Sequence, residues 1–345
     1  MNNTQWAVMP KKHWDDILDA TKAQIEDDTP LLSGQVAEKI QSITARPIPI
    51  IDGRYLFQNN VRIGEIDNYD LSEVELADYM FDGASELGDV PETFKTDKLK
   101  SATYLCSNCT RLLTVPYWEL PEVESLDYAF NGCSALKSIG GIFAPKLKSM
   151  AYTFYANNNA GLKLLYFSKD TPMIVNDCEN FDSAFRTAVI NTGVKGSLVL
   201  ESENGKTFRN TFQRSRFEYI KVCMKNATII SSAFEETYDT DTIEVEFGES
   251  ITNAEKAFAN TRVKNVIASG VIPISMSFSS TSSLTAESAI SIINALKDYS
   301  GTDKEFTQTI TFSAETKSAL EALGATSPNG NTWLEYIGDK GWLYS

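Results

Sequence analysis

The sequence predicts an α/β repeat protein: a solenoid of about eight coils, preceded by a helical segment and followed by a small α/β unit. Three observations support this prediction. A phenylalanine recurs along most of the chain, a small residue follows it three positions later, and the residue pattern changes at both ends of the repeat region. With 345 residues, 42% of them hydrophobic, the chain can bury a sizeable core.

The recurring motif is clearest in "SLDYAFNGCSALKSI", residues 125–139. Aligned on the phenylalanine, eight copies follow one another in steps of 22 to 31 residues, close to the period of leucine-rich-repeat solenoids. The aligned residues, called anchors below, are Phe81, Cys106, Phe130, Phe154, Phe185, Phe212, Phe234 and Phe258. A unit this short cannot bury its apolar side alone, so we expect the anchors to stack into a ladder.

A second column lies three positions after each anchor. Its members are all small or mid-sized: Ala84, Cys109, Cys133, Asn157, Ala188, Ser215, Thr237 and Thr261. Short aliphatic runs follow in most copies, such as Ile243 and Val245, and their alternation predicts short strands. The 31-residue step after Phe154 predicts an insertion.

The form "AFNGCSALKSI" resembles the BspA-like leucine-rich repeats of bacterial surface proteins and some phage proteins. The resemblance covers about residues 76–270 and implies a solenoid at 76–271 with a surface for adhesion. Residues 46–75, which begin with "RPIPIIDG", are predicted to form a linker and N-terminal cap region.

The first 45 residues predict two amphipathic helices. Their apolar residues are Trp14, Ile17, Leu18 and Ile25 in the first helix, and Val36 and Ile40 in the second. Two short helices cannot bury this much apolar surface against each other alone. We expect them to anchor the chain to a partner protein; a cap on the first coil is the alternative.

Residues 272–345 predict a compact α/β unit that caps the solenoid. Thr285 and Ser313 are placed to begin helices, and Thr332 with Glu335 predicts a capping box. The order of "LTAESAISIINAL", "TITFSA" and "KGW" resembles a terminal segment attached to such repeats in phage-encoded proteins.

Five cysteines, at 106, 109, 133, 178 and 223, do not form an even disulfide framework. "CSNC" suggests a zinc or redox site, but there is no second such pair, and Cys106 and Cys109 fall on the two repeat columns. We therefore interpret these cysteines as small apolar residues and expect no metal or cofactor.

A formal charge of −15 disfavours binding to nucleic acid and to anionic membranes. The opening "MNNTQWAVMPKKHWDD" has no apolar signal region, and no stretch is long and apolar enough for membrane insertion. We expect assembly in a host cytoplasm rather than export.

The resemblance to phage-encoded repeat proteins implies a structural and adhesive virion protein of a tailed bacteriophage, in the tail, baseplate or fibre. It would bind other virion proteins through the N-terminal helices and be a homo-oligomer in the particle, and we expect it to be non-enzymatic. Its partner would be a host surface protein or glycan. Tyr117, Trp118, Tyr155 and Tyr166 are the predicted recognition residues, since tyrosine and tryptophan give large contact areas with polar tips; the alternative is that they cover the ends of the core.

Two other functions remain open from the sequence. A bacterial BspA-like cell-surface adhesin would share the repeats. A glycan hydrolase would need converging carboxylates, and pairs such as Glu235 and Glu236 exist. The single histidine, His13, lies in the helical leader, which disfavours a serine or cysteine nucleophile in the repeats.

Overall fold

The computed structural model describes residues 49–60, 69–92, 94–155, 173–188, 197–238, 240–281 and 284–345. Through these residues the chain winds as a parallel solenoid. The leader with its six predicted anchoring residues lies outside the described residues, as do Asn157 and Tyr166.

The described residues contain twelve short strands and three helices. In chain order they are β1 Thr114–Val115, β2 Trp118–Glu119, β3 Ser138–Ile139, β4 Ile142–Phe143, β5 Met173–Ile174, β6 Ser197–Glu201, β7 Tyr219–Met224, β8 Thr242–Phe247, β9 Asn265–Gly270, β10 Met276–Phe278, α1 Ala286–Ala295, β11 Thr309–Phe312, α2 Ala314–Ala322, α3 Trp333–Asp339 and β12 Leu343–Tyr344.

All strand pairing among these elements is parallel, and within each sheet a strand pairs with the corresponding strand of the neighbouring coil. A seven-stranded sheet runs in the order β2-β4-β5-β6-β7-β8-β9, β1 pairs with β3, and β10-β11-β12 form a third sheet. In β7 and β8 the buried and less buried residues alternate, so one face of each strand packs into the core.

The anchors form the ladder that the sequence predicts. Phe130 stacks on Phe154 with ring centroids 5.5 Å apart, and Phe212 stacks on Phe234 at 5.3 Å. The backbone follows the same register, because the N–H of Phe130 donates to the carbonyl of Thr153 in the next coil at 2.9 Å. Each of these coils therefore buries the aromatic ring of its neighbour and forms hydrogen bonds with its neighbour's backbone.

The stack begins earlier than residue 76. Asp52 forms a parallel bridge with Leu76, and Phe57 stacks on Phe81 at 5.4 Å. Residues 50–60, which the sequence analysis assigns to the linker and N-terminal cap region, thus pack as a coil of the same kind.

The count of about eight coils is too high when coils are counted by regular strands, since the parallel solenoid amounts to about five turns. The described strands before β6 have two residues each. Pro116 stands between β1 and β2, and Gly140 with Gly141 stands between β3 and β4. Proline lacks the backbone N–H and glycine weakens a strand, so the strands of these copies stay short. Turns and isolated bridges supply the remaining backbone contacts between neighbouring coils.

The second column is buried, as its residue sizes predict. Cys109, Cys133 and Ser215 have no exposed surface. The column also donates hydrogen bonds to buried carbonyls: the Cys133 thiol donates to the carbonyl of Cys106 at 3.0 Å, and the Ser215 hydroxyl to that of Phe212 at 2.6 Å. In these copies the small side chain also supplies a donor to a buried carbonyl, whereas Ala84 and Ala188 fill the same position by size alone.

Residues 272–345 form the predicted α/β unit. Thr285, Ser313 and Thr332 begin α1, α2 and α3, and the capping box between Thr332 and Glu335 is present. The unit shares the solenoid's core, because Phe278 of β10 packs against Phe258 at 4.6 Å.

Candidate functional site: a tyrosine ribbon on the solenoid surface

Five tyrosines of successive coils form a continuous stack on the surface of the solenoid, called the tyrosine ribbon below: Tyr55, Tyr79, Tyr104, Tyr128 and Tyr152. Neighbouring ring centroids are 4.5 to 5.1 Å apart, and neighbouring planes differ by 3° to 12°. Each tyrosine lies two positions before an anchor or its equivalent, Phe57. The ribbon therefore runs parallel to the buried ladder, outside it.

The backbone explains why this column points outward. Every ribbon residue has a positive φ, from 57° to 61°. The position is the third residue of a tight turn, as in the hydrogen bond from the N–H of Leu56 to the carbonyl of Gly53 at 3.1 Å. Tyrosine is an uncommon residue in this left-handed region, which costs roughly 1–2 kcal/mol for a residue with a Cβ.

The same backbone position continues beyond the ribbon with other residues. In later coils it holds Ser183, Asn210, Ser232 and Lys256, with φ between 53° and 57°. The turn therefore requires the left-handed conformation but does not require tyrosine. Five successive tyrosines must have another reason, which is either the stacking itself or the surface that the rings present.

Carboxylates flank the ribbon. Asp78 and Asp127 each precede a ribbon tyrosine, and Asp82 follows Tyr79 by three residues. Oδ1 of Asp78 accepts from the N–H of Thr103 at 2.8 Å, and Oδ1 of Asp127 accepts from the N–H of Ala151 at 2.8 Å. These bonds to the next coil hold both carboxylates beside the rings.

The surroundings of the ribbon raise the pKa of two of its phenols. Burial, the neighbouring phenol of Tyr104 and the flanking carboxylates raise the pKa of Tyr79. The pKa of Tyr128 is raised for the same reasons, burial being the largest and Asp127 contributing. Both phenols thus stay protonated at neutral pH and can donate as well as accept hydrogen bonds.

The four predicted recognition residues differ in where they lie in the structure. Tyr117 is 54% exposed. Tyr155 is half-buried at the end of the ribbon, edge-on to Tyr152 at 5.7 Å and with the Arg186 guanidinium 5.5 Å from its ring centroid. Tyr166 lies outside the described residues.

The prediction that Trp118 belongs to a recognition surface is wrong, because only 2% of its surface is exposed. Cys106 is smaller than the phenylalanine of other copies, and two aromatic side chains fill the space. Phe81 packs on Phe94 at 5.9 Å, Phe94 on Trp118 at 6.3 Å, and Trp118 on Phe130 at 5.2 Å. Trp118 therefore belongs to the core and not to a binding surface.

A second surface feature is a shallow groove of about 340 Å³ on the outer face of β6 to β9. Its charges pair with each other: Lys221 lies 2.5 Å from Glu244, which also accepts from the Tyr219 hydroxyl at 2.5 Å. These two partners lower the pKa of Glu244. Cys223 also lines the groove, and burial raises the pKa of its thiol, which disfavours a nucleophile.

The paired carboxylates considered for glycan hydrolysis each have a structural partner. Glu235 accepts from the Gln213 amide at 2.5 Å, and Glu236 pairs with Arg214 at 2.7 Å. In the described residues no group of three or more histidines, cysteines, aspartates or glutamates is arranged to hold a metal ion. Within the same part of the chain, no helix has the length and apolar character needed to cross a membrane.

The ribbon is not among the sequence predictions, although its signal is present in the sequence. A tyrosine precedes the anchor by two residues in "DYMF", "TYLC", "DYAF" and "AYTF", and the same spacing occurs in "RYLF". A residue two positions from a buried one is expected on the same face of a strand. The left-handed turns change that relation, so the column lies at the surface.

Comparisons with known proteins give one match. Residues 50–164 match the family model DUF285, described as a Mycoplasma protein of unknown function. The matched segment covers the ribbon from Tyr55 to Tyr152. No curated protein and no solved structure matches the chain.

Proposed function

We propose that the chain is a non-enzymatic adhesive repeat protein whose tyrosine ribbon binds a host receptor, and that it is a tail, baseplate or fibre component of a tailed bacteriophage. The observation that supports adhesion most is the restriction of tyrosine to five successive coils at a position that accepts serine, asparagine and lysine elsewhere. Solenoids use such continuous columns as extended binding surfaces.

The placement in a phage particle rests on the resemblance of the C-terminal unit to phage-encoded repeat proteins. A bacterial cell-surface adhesin is the second candidate, because the family matched by residues 50–164 is described from Mycoplasma. Mass spectrometry of purified virions distinguishes the two. The proposed placement requires the chain among the virion proteins, and its presence on a bacterial surface instead would favour the adhesin.

The adhesive role is tested by removing the ribbon while keeping the turns. The triple variant Tyr79→Ser, Tyr104→Ser, Tyr128→Ser introduces the residue that Ser183 and Ser232 show to be compatible with the backbone. We expect a folded protein that no longer labels host cells, measured by flow cytometry of the fluorescent chain. Asn210→Ser is the matched control, since it changes the same column outside the ribbon and should leave labelling intact.

The thermal unfolding midpoint of both variants shows whether they are folded. A folded triple variant that labels cells as well as the unchanged chain would refute the proposed receptor surface.

A further inference from the structure

We propose that the ligand of the tyrosine ribbon is a linear polysaccharide bearing free amino groups, which lies along the solenoid axis. This inference rests on the proposed function, because it names the chemistry of the receptor that the ribbon would bind. Three properties of the ribbon lead to it: the ring edges that it presents, its spacing, and its flanking charges.

The stacking determines which part of each tyrosine a ligand can contact. With planes within 12° of parallel and centroids at most 5.1 Å apart, neighbouring rings cover each other's faces. The outer surface is therefore a row of ring edges and phenol hydroxyls. Such a row cannot stack on flat apolar groups along its length, but it can exchange hydrogen bonds with a partner that carries many hydroxyl or amino groups.

The spacing selects among extended polymers. Residues on one face of an extended peptide repeat about every 6.4–6.8 Å, two rises of a strand, and helical neighbours three or four positions apart are about 5–6 Å apart with a rotating direction. The ribbon repeats every 4.5 to 5.1 Å, with one ring for each coil and neighbouring ring planes within 12° of parallel. A chain of pyranose rings repeats its polar groups once per sugar, over a length close to that of one coil, so it can keep register over several coils.

The charge selects the amino sugar. Asp78 and Asp127 each precede a ribbon tyrosine, and hydrogen bonds to the N–H groups of Thr103 and Ala151 hold them there, so carboxylates lie along the ribbon. Among the described residues, the hydrogen bonds of Asp78 and Asp127 fall on Oδ1. The inference places an ammonium group of the ligand at Oδ2, where it would share Asp78 with Arg54, whose guanidinium already acts on that carboxylate. A charge-assisted bond of this kind is stronger than a neutral one. The net charge of −15 also attracts a cationic polymer.

The test measures binding of the purified full chain to three probes by isothermal titration calorimetry, under mildly acidic conditions that protonate the sugar amines. The probes are a β-1,4-linked glucosamine hexamer, its fully N-acetylated counterpart, and a hexalysine peptide. We expect the glucosamine hexamer to bind at least about tenfold more tightly than the N-acetylated hexamer, since charge-assisted bonds differ from neutral ones by this order. It should also bind more tightly than hexalysine, whose ammonium groups do not repeat at the spacing of the coils.

Two variants separate the contribution of the carboxylate charges to binding from that of the tyrosine hydroxyls. Asp78→Asn with Asp127→Asn keeps an acceptor for the backbone N–H groups of Thr103 and Ala151 but removes the charge, and should weaken binding about tenfold or more. Tyr79→Phe with Tyr104→Phe and Tyr128→Phe keeps the stack and removes the hydroxyls, and should also weaken binding. Glu255→Gln, at the same repeat position as Asp78 but far from the ribbon, should leave binding unchanged.

Several outcomes would overturn the inference. Equal binding of the amino and N-acetylated hexamers, or unchanged binding in the Asn variant, would exclude recognition of the amine. Tighter binding of hexalysine would indicate a basic protein as the partner. If the serine variant of the ribbon loses cell labelling while no hexamer binds the unchanged chain, the ligand inference fails and the proposed adhesive function stands.

Discussion

Cys106 stands where the other seven copies have phenylalanine, and Phe94 and Trp118 occupy the resulting space. Trp118→Ala should lower the free energy of unfolding by about 3–5 kcal/mol, because it empties a buried aromatic site. Cys106→Phe alone should cost about 1–3 kcal/mol by overpacking the same space.

The double variant tests whether the two residues share that space. Its loss of stability, measured by denaturant unfolding, should be clearly smaller than the sum of the single losses, because the new phenylalanine refills the cavity. Tyr117→Ala is the control, since this neighbouring ring is exposed and should cost little. Strict additivity would mean that Trp118 does not substitute for the missing anchor.

The cysteines should differ in reactivity according to burial. Burial raises the pKa of the Cys106, Cys133 and Cys178 thiols, and the thiolate is the species that reacts. Iodoacetamide at about pH 8 should therefore leave these three unmodified in the folded protein. Cys223, which is half-exposed, should be modified slowly, and the labelled peptides can be identified by mass spectrometry.

Two controls accompany this experiment. Cys223→Ser should remove the labelling of the folded chain, and all five cysteines should react after unfolding. Rapid labelling of Cys106 in the folded protein would contradict its place in the core.

For single residues, the sequence predicts which repeat positions form a buried column better than it predicts which side chains are exposed. The sizes of Cys109 and Cys133 predict their burial, because a repeat that must stack constrains volume at each position. Trp118 could not be placed this way. Its burial depends on the combination of a small anchor at Cys106 and a ring from Phe94, which only the three-dimensional packing shows.

Among the elements, α1 closes the last edge of the seven-stranded sheet. The Ser288 hydroxyl accepts from the N–H of Val266 at 2.9 Å, and the Ser291 hydroxyl accepts from the N–H of Ala268 at 3.1 Å. Ser291 also donates to the carbonyl of Val266 at 2.8 Å. Two serines one helical turn apart thus replace the strand that would otherwise pair with β9.

Replacing both serines with alanine should expose this dependence. Ser288→Ala with Ser291→Ala leaves two partly or fully buried N–H groups of β9 without these acceptors. Each lost acceptor should lower the free energy of unfolding by about 1–3 kcal/mol. Hydrogen exchange should show faster exchange at the amides of Val266 and Ala268. Asn294→Ala, at an exposed position of the same helix, should leave both amides protected; equal protection in the double variant would show that α1 does not cap the sheet through these hydroxyls.

The elements whose ends have local signals were predictable from the sequence. Thr285, Ser313 and the Thr332–Glu335 pair begin the helices where predicted, because a cap depends on residues within one turn. The lengths of the strands were not predictable from the aliphatic runs, since Pro116 and the Gly140–Gly141 pair interrupt the pairing of the earlier copies. The orientation of the ribbon also escaped prediction, because it depends on left-handed turns with tyrosine.

Across the whole molecule, one core continues from the repeats into the C-terminal unit. Phe278 lies between Phe258 of the last repeat copy, at 4.6 Å, and Phe312 of β11, at 6.0 Å. Lys340 donates to the carbonyls of Ile293 and Leu296 at 3.0 and 2.8 Å, which ties the end of the chain to the end of α1. A unit joined in this way should unfold together with the coils that it covers.

Phe278→Ala tests this coupling in the full chain. The side chain is completely buried, so its truncation should cost about 3–5 kcal/mol. If the core is continuous, calorimetry should show one transition that moves to lower temperature, and hydrogen exchange should show reduced protection in β8 and β9 as well as in β10 and β11. Phe306→Ala is the matched control, because this phenylalanine of the same unit is 50% exposed and its loss should change neither measurement. Two separate transitions, with protection of β8 and β9 unchanged in Phe278→Ala, would mean that residues 272–345 fold as an independent domain and do not stabilise the solenoid.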